Sequence, residues 1–169
     1  MSGPSVAADR FHDPDGQTVT VGGFGTTYRV RSGASGGSVA LVEHTLAPGL
    51  LGAPPHRHDR EDETSYVLEG KLTVRVGDET ITAGPGAVVF KPRGVWHAFW
   101  NAGRVPVRFV EVITPGGFEA YFAELAALVP PDGPPDLVAL GRLAARYGVT
   151  FDFDAVPALV EAHGVRLGA

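Results

Sequence analysis

Six histidines stand in the chain, and two of them form His56-Arg57-His58. Side chains alternate along an extended strand, so this spacing points both imidazoles to one face. Five residues beyond His58 comes Glu63, across a polar turn and just before Thr64-Ser65-Tyr66-Val67-Leu68. Provided Glu63 opens that strand, its carboxylate aims into the same interior. The fourth candidate is His97, in Gly94-Val95-Trp96-His97-Ala98-Phe99-Trp100. There alternation sets His97 and Phe99 on one face and Trp96 and Ala98 on the other. His56, His58, Glu63 and His97 together make a coordination shell for one divalent transition metal, with one or two positions left for water, substrate or dioxygen. Fe, Mn, Ni, Co, Cu and Zn all accept three imidazoles and a carboxylate, so the set does not choose among them. The alternative is a metal-free polar cluster, which buries four unpaired titratable groups at considerable cost.

Other residues have two readings. His44 lies in the apolar run 38–46, where alternate residues face inward, and reads as strand-end hydrogen bonding or as part of a pocket. Glu111, inside the run 105–113, either orients a ligand imidazole or faces solvent from an edge. Tyr28, Val67, Val76, Phe90, Phe99 and Phe109 are candidates for pocket wall or plain core. Phe99 leads them because it shares a face with His97. His12 and His163 read as surface or helix-end residues. Gly70, Gly86 and Gly94 are expected in turns, and Pro92 in a rigid loop ahead of His97.

The elements that must position these groups are short. Between residues 17 and 114, β-branched and aromatic runs (18–21, 26–30, 38–46, 64–68, 71–76, 79–82, 87–90, 97–100 and 105–113) alternate with Gly, Pro and Asp punctuation. That pattern predicts at least eight strands in a β-sandwich or barrel. Glu69-Gly70 and Gly77-Asp78 read as tight antiparallel hairpins, so sequence neighbours should pair. Residues 1–16 read as an N-terminal arm, 17–114 as the barrel and 115–169 as a helical extension. The extension's first helix starts near Pro115, shows one apolar face through Phe118, Tyr121, Phe122, Leu125 and Val129, and stops at Pro130. A second, 134–147, buries Leu137, Leu140, Leu143, Ala144 and Tyr147 before a Gly148 cap, and a third spans 154–163. Too small for its own core, this tail is expected to pack on the barrel's outside or on a partner subunit.

Composition narrows the function classes. The 169 residues suit one domain, and 44% hydrophobic with 20% charged residues suits a globular chain. A net charge of −5 gives no basic field for nucleic acid. With no cysteine, thiolate catalysis, disulfides and cysteine-ligated metals are excluded. No basic-then-apolar leader opens the sequence, and its longest apolar run, 125–129, is far below a membrane span, so the expectation is a cytoplasmic protein without a membrane partner.

The same residues carry a family resemblance. His56, His58, Glu63 and Gly70 resemble the first cupin motif, with Leu50 standing where the leading glycine is usual and Gly49 and Gly52 beside it. Gly86, Pro92, Gly94, His97 and Asn101 match the second motif throughout. The resemblance implies a mainly β, double-stranded β-helix (a jelly-roll barrel) with the metal at its mouth, His56, His58, Glu63 and His97 as ligands, and a homodimer. Its single barrel and helical tail look most like the quercetin dioxygenase-like branch. That implies a mononuclear dioxygenase for a small aromatic or enolisable carbonyl substrate, with Glu63 serving as ligand and then as catalytic base. A non-oxidative isomerase, lyase or cyclase using the same metal, and a small-molecule-binding cupin without turnover, are the alternatives.

Overall fold

The structure is a computed structural model that describes residues 16–130 and 136–168; most of the arm, His12 included, lies outside the described residues. Its strands are β1 (Thr18–Val21), β2 (Phe24–Val30), β3 (Ala40–Leu46), β4 (Leu50–Leu51), β5 (His56–His58), β6 (Asp62–Glu69), β7 (Leu72–Val76), β8 (Glu79–Ala83), β9 (Val88–Lys91), β10 (His97–Asn101) and β11 (Val107–Thr114). Three helices, α1 (Ala120–Leu128), α2 (Leu137–Tyr147) and α3 (Val156–His163), follow, with β12 (Val149–Phe151) and β13 (Arg166–Leu167) between and after them. Two sheets face each other, one in the order β1-β2-β3-β11-β6-β9, the other β12-β5-β10-β4-β13 with β7 and β8 attached through β10. This is the jelly-roll arrangement expected of the β-rich chain, with its helical tail present.

Period-two burial builds the inner face. β3 buries Ala40, Val42, His44 and Leu46, and β11 buries Val107, Phe109, Glu111 and Ile113. Val67 and Phe109 are core rather than pocket wall, packed with Phe24, Leu72, Val74 and Phe99, and Val76 lies half-buried beside them. Phe90 faces outward and is 55% exposed, since alternation on β9 turns its neighbours Val89 and Lys91 inward instead.

One turn differs from expectation. The Gly77-Asp78 joint is a hairpin, with Val76 opposite Glu79. The Glu69-Gly70 joint is not, because β6 pairs with β11 and β9 while β7 pairs with β8 and β10. The chain crosses there from one sheet to the other. Gly70 turns at φ +76°, and a Cβ on it would lie 2.7 Å from the Pro106 carbonyl oxygen, so only glycine makes the crossing without strain.

The tail also departs from expectation. Tyr121, Leu143, Ala144 and Val149 pack with Ala40, Val42 and Ile113, which point into the barrel, so α1 and α2 close an open end of the jelly roll rather than lie on its outside. Asp136 caps α2 by accepting from the Val138 and Ala139 amides at 2.9 and 3.1 Å, and Gly148 ends it with left-handed geometry. Leu137, expected to be buried, is 73% exposed at the first helical position. Leu159 of α3, and Val165 just beyond it, pack with Leu51 and Trp100, and His163 lies on the helix's exposed end with its ring 4.4 Å from that of Trp100. No helix among the described residues is long and apolar enough to cross a membrane.

Candidate metal centre

His56 and His58 project from β5 to one side, His97 from β10 lies opposite His56, and Glu63 sits one residue inside the start of β6. The spacing argument therefore delivers all four buried side chains to one point, with their ligand atoms within 4.8 Å of one another. Nε2 of His58 and Nε2 of His97 each lie 3.5 Å from a Glu63 carboxylate oxygen. Donor atoms held about 2.1 Å from a shared tetrahedral ion stand roughly 3.4 Å apart, so these separations fit a metal. His56 Nδ1 is 2.9 Å from the Pro54 carbonyl and His97 Nδ1 3.1 Å from that of Val95; a ring N–H donated to each leaves Nε2 as the ligand atom. Neither nitrogen of His58, nor Nε2 of His97, has a hydrogen-bond partner. Buried polar atoms left in this state are costly unless something binds them, and a divalent ion meets that need. Glu61, also buried, holds its own unpartnered Oε2 3.9 Å from His58 Nδ1.

Behind Glu63 lies a residue that the sequence reading missed. Lys91 is 1% exposed and sits directly across from Glu63 in the β6–β9 register, its Nζ 3.1 Å from Glu63 and 2.6 Å from Glu111. Ser65 donates to both oxygens of Glu111 at 3.2 and 3.0 Å. Glu111 thus faces inward, and it braces Glu63 through Lys91 rather than touching an imidazole. Burial pushes Glu63 upward, but the Lys91 charge together with His58 and His97 outweighs this and holds it well below the usual carboxylate range. One lysine cannot neutralise two carboxylates. Burial, aided by the Glu63 charge and only partly offset by Lys91, accordingly raises Glu111 to about 7.

The centre opens into a cavity of about 640 Å³ whose walls are almost wholly apolar, within the usual range for small-molecule sites. Phe24, Phe99, Phe118, Phe122 and Phe151 line it, with His44, His56, Glu63 and Glu111 as polar points. Phe99 is therefore a wall, as its shared face with His97 suggests. His44 both lines the cavity and hydrogen-bonds Thr26 Oγ1 at 3.0 Å, joining its two readings. Tyr28 does not line the cavity; it is buried beside α1 with Arg31 over its ring, because the tail covers that end of β2. The five apolar residues expected on the first helix, Phe118, Tyr121, Phe122, Leu125 and Val129, all face this space.

Three histidines are buried in neutral form: burial lowers His44 to about 3 and His58 to about 4, and takes His56 well below its ordinary value. Their folded values lie below the unfolded value of about 6.5. Stability from this source is therefore complete above pH 6.5 and is lost as pH falls toward 4, by up to about 1.4 kcal/mol per pH unit for each group. Glu111, raised to about 7, and Glu61, also raised by burial, act in the opposite sense, but they are two groups against three. Urea midpoints of the metal-free protein are expected to fall steeply between pH 7 and pH 4.5, and a flat or rising profile would contradict the neutral burial.

The family profile described as Cupin domain matches residues 42–113. The tetracenomycin polyketide synthase protein TcmJ of Streptomyces glaucescens is 37% identical over 83 residues, covering 49% of this chain and 54% of that one. Germin-like protein 1-1 of Oryza sativa subsp. japonica is 34% identical over 110 residues, covering 60% and 49%. The chain thus spans about half the length of these curated relatives. Among solved structures, KdgF from Halomonas sp. superposes with a TM-score of 0.57 at 19% identity, over 65% of this chain and 97% of that one. An RmlC-like cupin from Shewanella frigidimarina gives 0.55 at 19%, over 65% and 94%. At these identities the structural likeness speaks for the fold alone.

Proposed function

We propose that the protein, whose residues 42–113 match the Cupin domain profile, is a mononuclear metal-dependent enzyme for a hydroxylated aromatic or enolisable carbonyl substrate, with His56, His58, Glu63 and His97 holding the ion. The observation that carries this reading is the four-residue cluster at one end of a 640 Å³ apolar cavity. When bound, a divalent ion at this cluster supplies Lewis-acid polarisation of a substrate oxygen. Lys91 keeps Glu63 ionised, which suits it to be the anionic ligand and makes it a weak base. Glu111 lines the same cavity and is poised near neutrality, so it is the better group to take a proton from carbon or oxygen. The phenylalanine walls exclude water and favour flat rings. Similarity to a polyketide synthase protein supports a polyketide-like substrate.

Two carboxylates of unlike proton affinity beside one cavity favour non-oxidative proton transfer, as in an isomerase or cyclase, over the dioxygenase chemistry that the motifs first suggested. Deuterium incorporation at C2 of 1-tetralone in D₂O, followed by mass spectrometry, tests this with the metal-reconstituted protein. Exchange at least about tenfold above buffer, without oxygen uptake, is expected, and Glu111→Gln should remove most of it while retaining the metal. Oxygen consumption during turnover moves the assignment to a dioxygenase. Neither exchange nor oxygen uptake, with this ketone or with flavonols, leaves a binding protein.

A further inference from the structure

The cavity has a second polar end. His44 on β3 is reached from the metal centre along two aromatic walls. On one side the ring centroids run His56 to Phe99 (6.5 Å), Phe99 to Phe24 (5.7 Å) and Phe24 to His44 (4.7 Å). On the other they run His58 to Phe118 (4.4 Å), Phe118 to Phe122 (5.4 Å) and Phe122 to His44 (5.0 Å). The two walls converge on His44, where the Phe24 and Phe122 centroids are 6.3 Å apart, and the cavity they line has imidazoles and a carboxylate at one end and a single imidazole at the other. Phe109, part of the core, packs behind His44 with its ring 5.1 Å away.

We propose that His44 is the distal anchor of this cavity, hydrogen-bonding an oxygen at the far end of a planar, multi-ring aromatic ligand whose near oxygen sits at the His56, His58, Glu63 and His97 cluster. The inference rests on the substrate class proposed above and adds a requirement for oxygen at both ends of the ligand. Thr26 Oγ1 lies 3.0 Å from His44 Nδ1 and the Gly25 backbone also bonds this ring, which fixes it; Nε2 is the atom assigned to the ligand. If Thr26 donates, Nε2 carries the proton and donates in turn; if Thr26 accepts, Nε2 is an acceptor. A phenolic hydroxyl satisfies either case. The ring is neutral at physiological pH, so the anchor selects an uncharged oxygen rather than a carboxylate or phosphate. His44 is packed against three phenylalanines, Phe24, Phe109 and Phe122, where a fourth phenyl ring would fill the space without a polar atom to desolvate, so the second ring nitrogen calls for a partner beyond Thr26. Phe24, Phe118 and Phe122 lie outside residues 42–113, so these walls are built largely by segments beyond the profile match.

Binding of 2,6-dihydroxyanthraquinone and 2-hydroxyanthraquinone to the zinc-reconstituted protein, followed by calorimetry, tests the anchor. The wild type is expected to bind the dihydroxy compound about tenfold more tightly. His44→Phe, which keeps an aromatic ring in the same box, should bind both probes equally and at the wild-type affinity for the monohydroxy compound. His44→Gln should restore part of the preference. No preference in the wild type, a preference that survives in His44→Phe, or failure of the wild type to bind either probe overturns the proposal. Because the readout is binding, an anchor confirmed in a protein without turnover would refute the enzyme and keep the anchor, whereas turnover with an unaltered His44→Phe preference would do the reverse.

Discussion

Reconstituted His58→Ala is expected to hold well under a tenth of an ion per chain, against near one in the wild type, when tag-free protein is subjected to elemental analysis. The loss in affinity should exceed the roughly 10–100-fold that follows removal of an outer partner of a metal ligand, because a ligand itself is gone. Stability of the metal-free protein should move far less. Both ring nitrogens of His58 are buried without hydrogen-bond partners, so truncation removes a desolvation cost along with the packing of the ring on Phe118. His56 is a poorer choice for this experiment, since its Nδ1 also ties the strand to Pro54. Equal metal in His58→Ala and wild type would mean that the ion sits elsewhere, and the cluster would then be a polar pocket.

The largest effect on folding is expected at Lys91. Lys91→Met keeps the length of the side chain but leaves Glu63 and Glu111 as two buried carboxylates without a counter-charge. Breaking a buried ion pair from one side costs about 3–5 kcal/mol. Urea denaturation of the metal-free variant should show a loss of that order, partly recovered in the Lys91→Met/Glu111→Gln double variant, where one of the stranded charges is gone. Metal should also recover stability, because a bound ion balances Glu63. A Lys91→Met protein as stable as wild type would show that the three groups do not depend on one another.

How far the sequence foretold this arrangement depends on the range of the interaction. The histidines of β5, the opening position of Glu63 and the shared face of His97 and Phe99 follow from strand alternation, which is local and was legible. Lys91 was readable only in part: alternation with Val89 marks it as inward-facing, but its partners come from β6 and β11, and the register that sets Lys91 opposite Glu63 is a property of the folded sheet. Glu111 stayed ambiguous for the same reason. The Glu69-Gly70 joint has the residues of a hairpin, yet the jelly roll uses the same turn chemistry to change sheets, so only topology separates the two. The helical faces of the tail were legible from periodicity, whereas their target was not, because periodicity says that a face is apolar and not what it covers. β12 and β13, of three and two residues, carry too short a pattern to register at all.

β12 has a temporal consequence. Its three residues complete the ladder of β5, with Val149 opposite His58, Thr150 opposite Arg57 and Phe151 opposite His56. During synthesis the chain emerges from its N-terminus, so the strand bearing two of the four candidate ligands leaves the ribosome long before the strand that pairs with it. Until then one edge of β5 has no β-strand beside it, and the sequence distance makes this pairing among the late contacts to form. A nascent chain thus carries its metal-binding side chains well ahead of their finished scaffold, and early capture of an ion by those side chains would organise β5 before its neighbour exists.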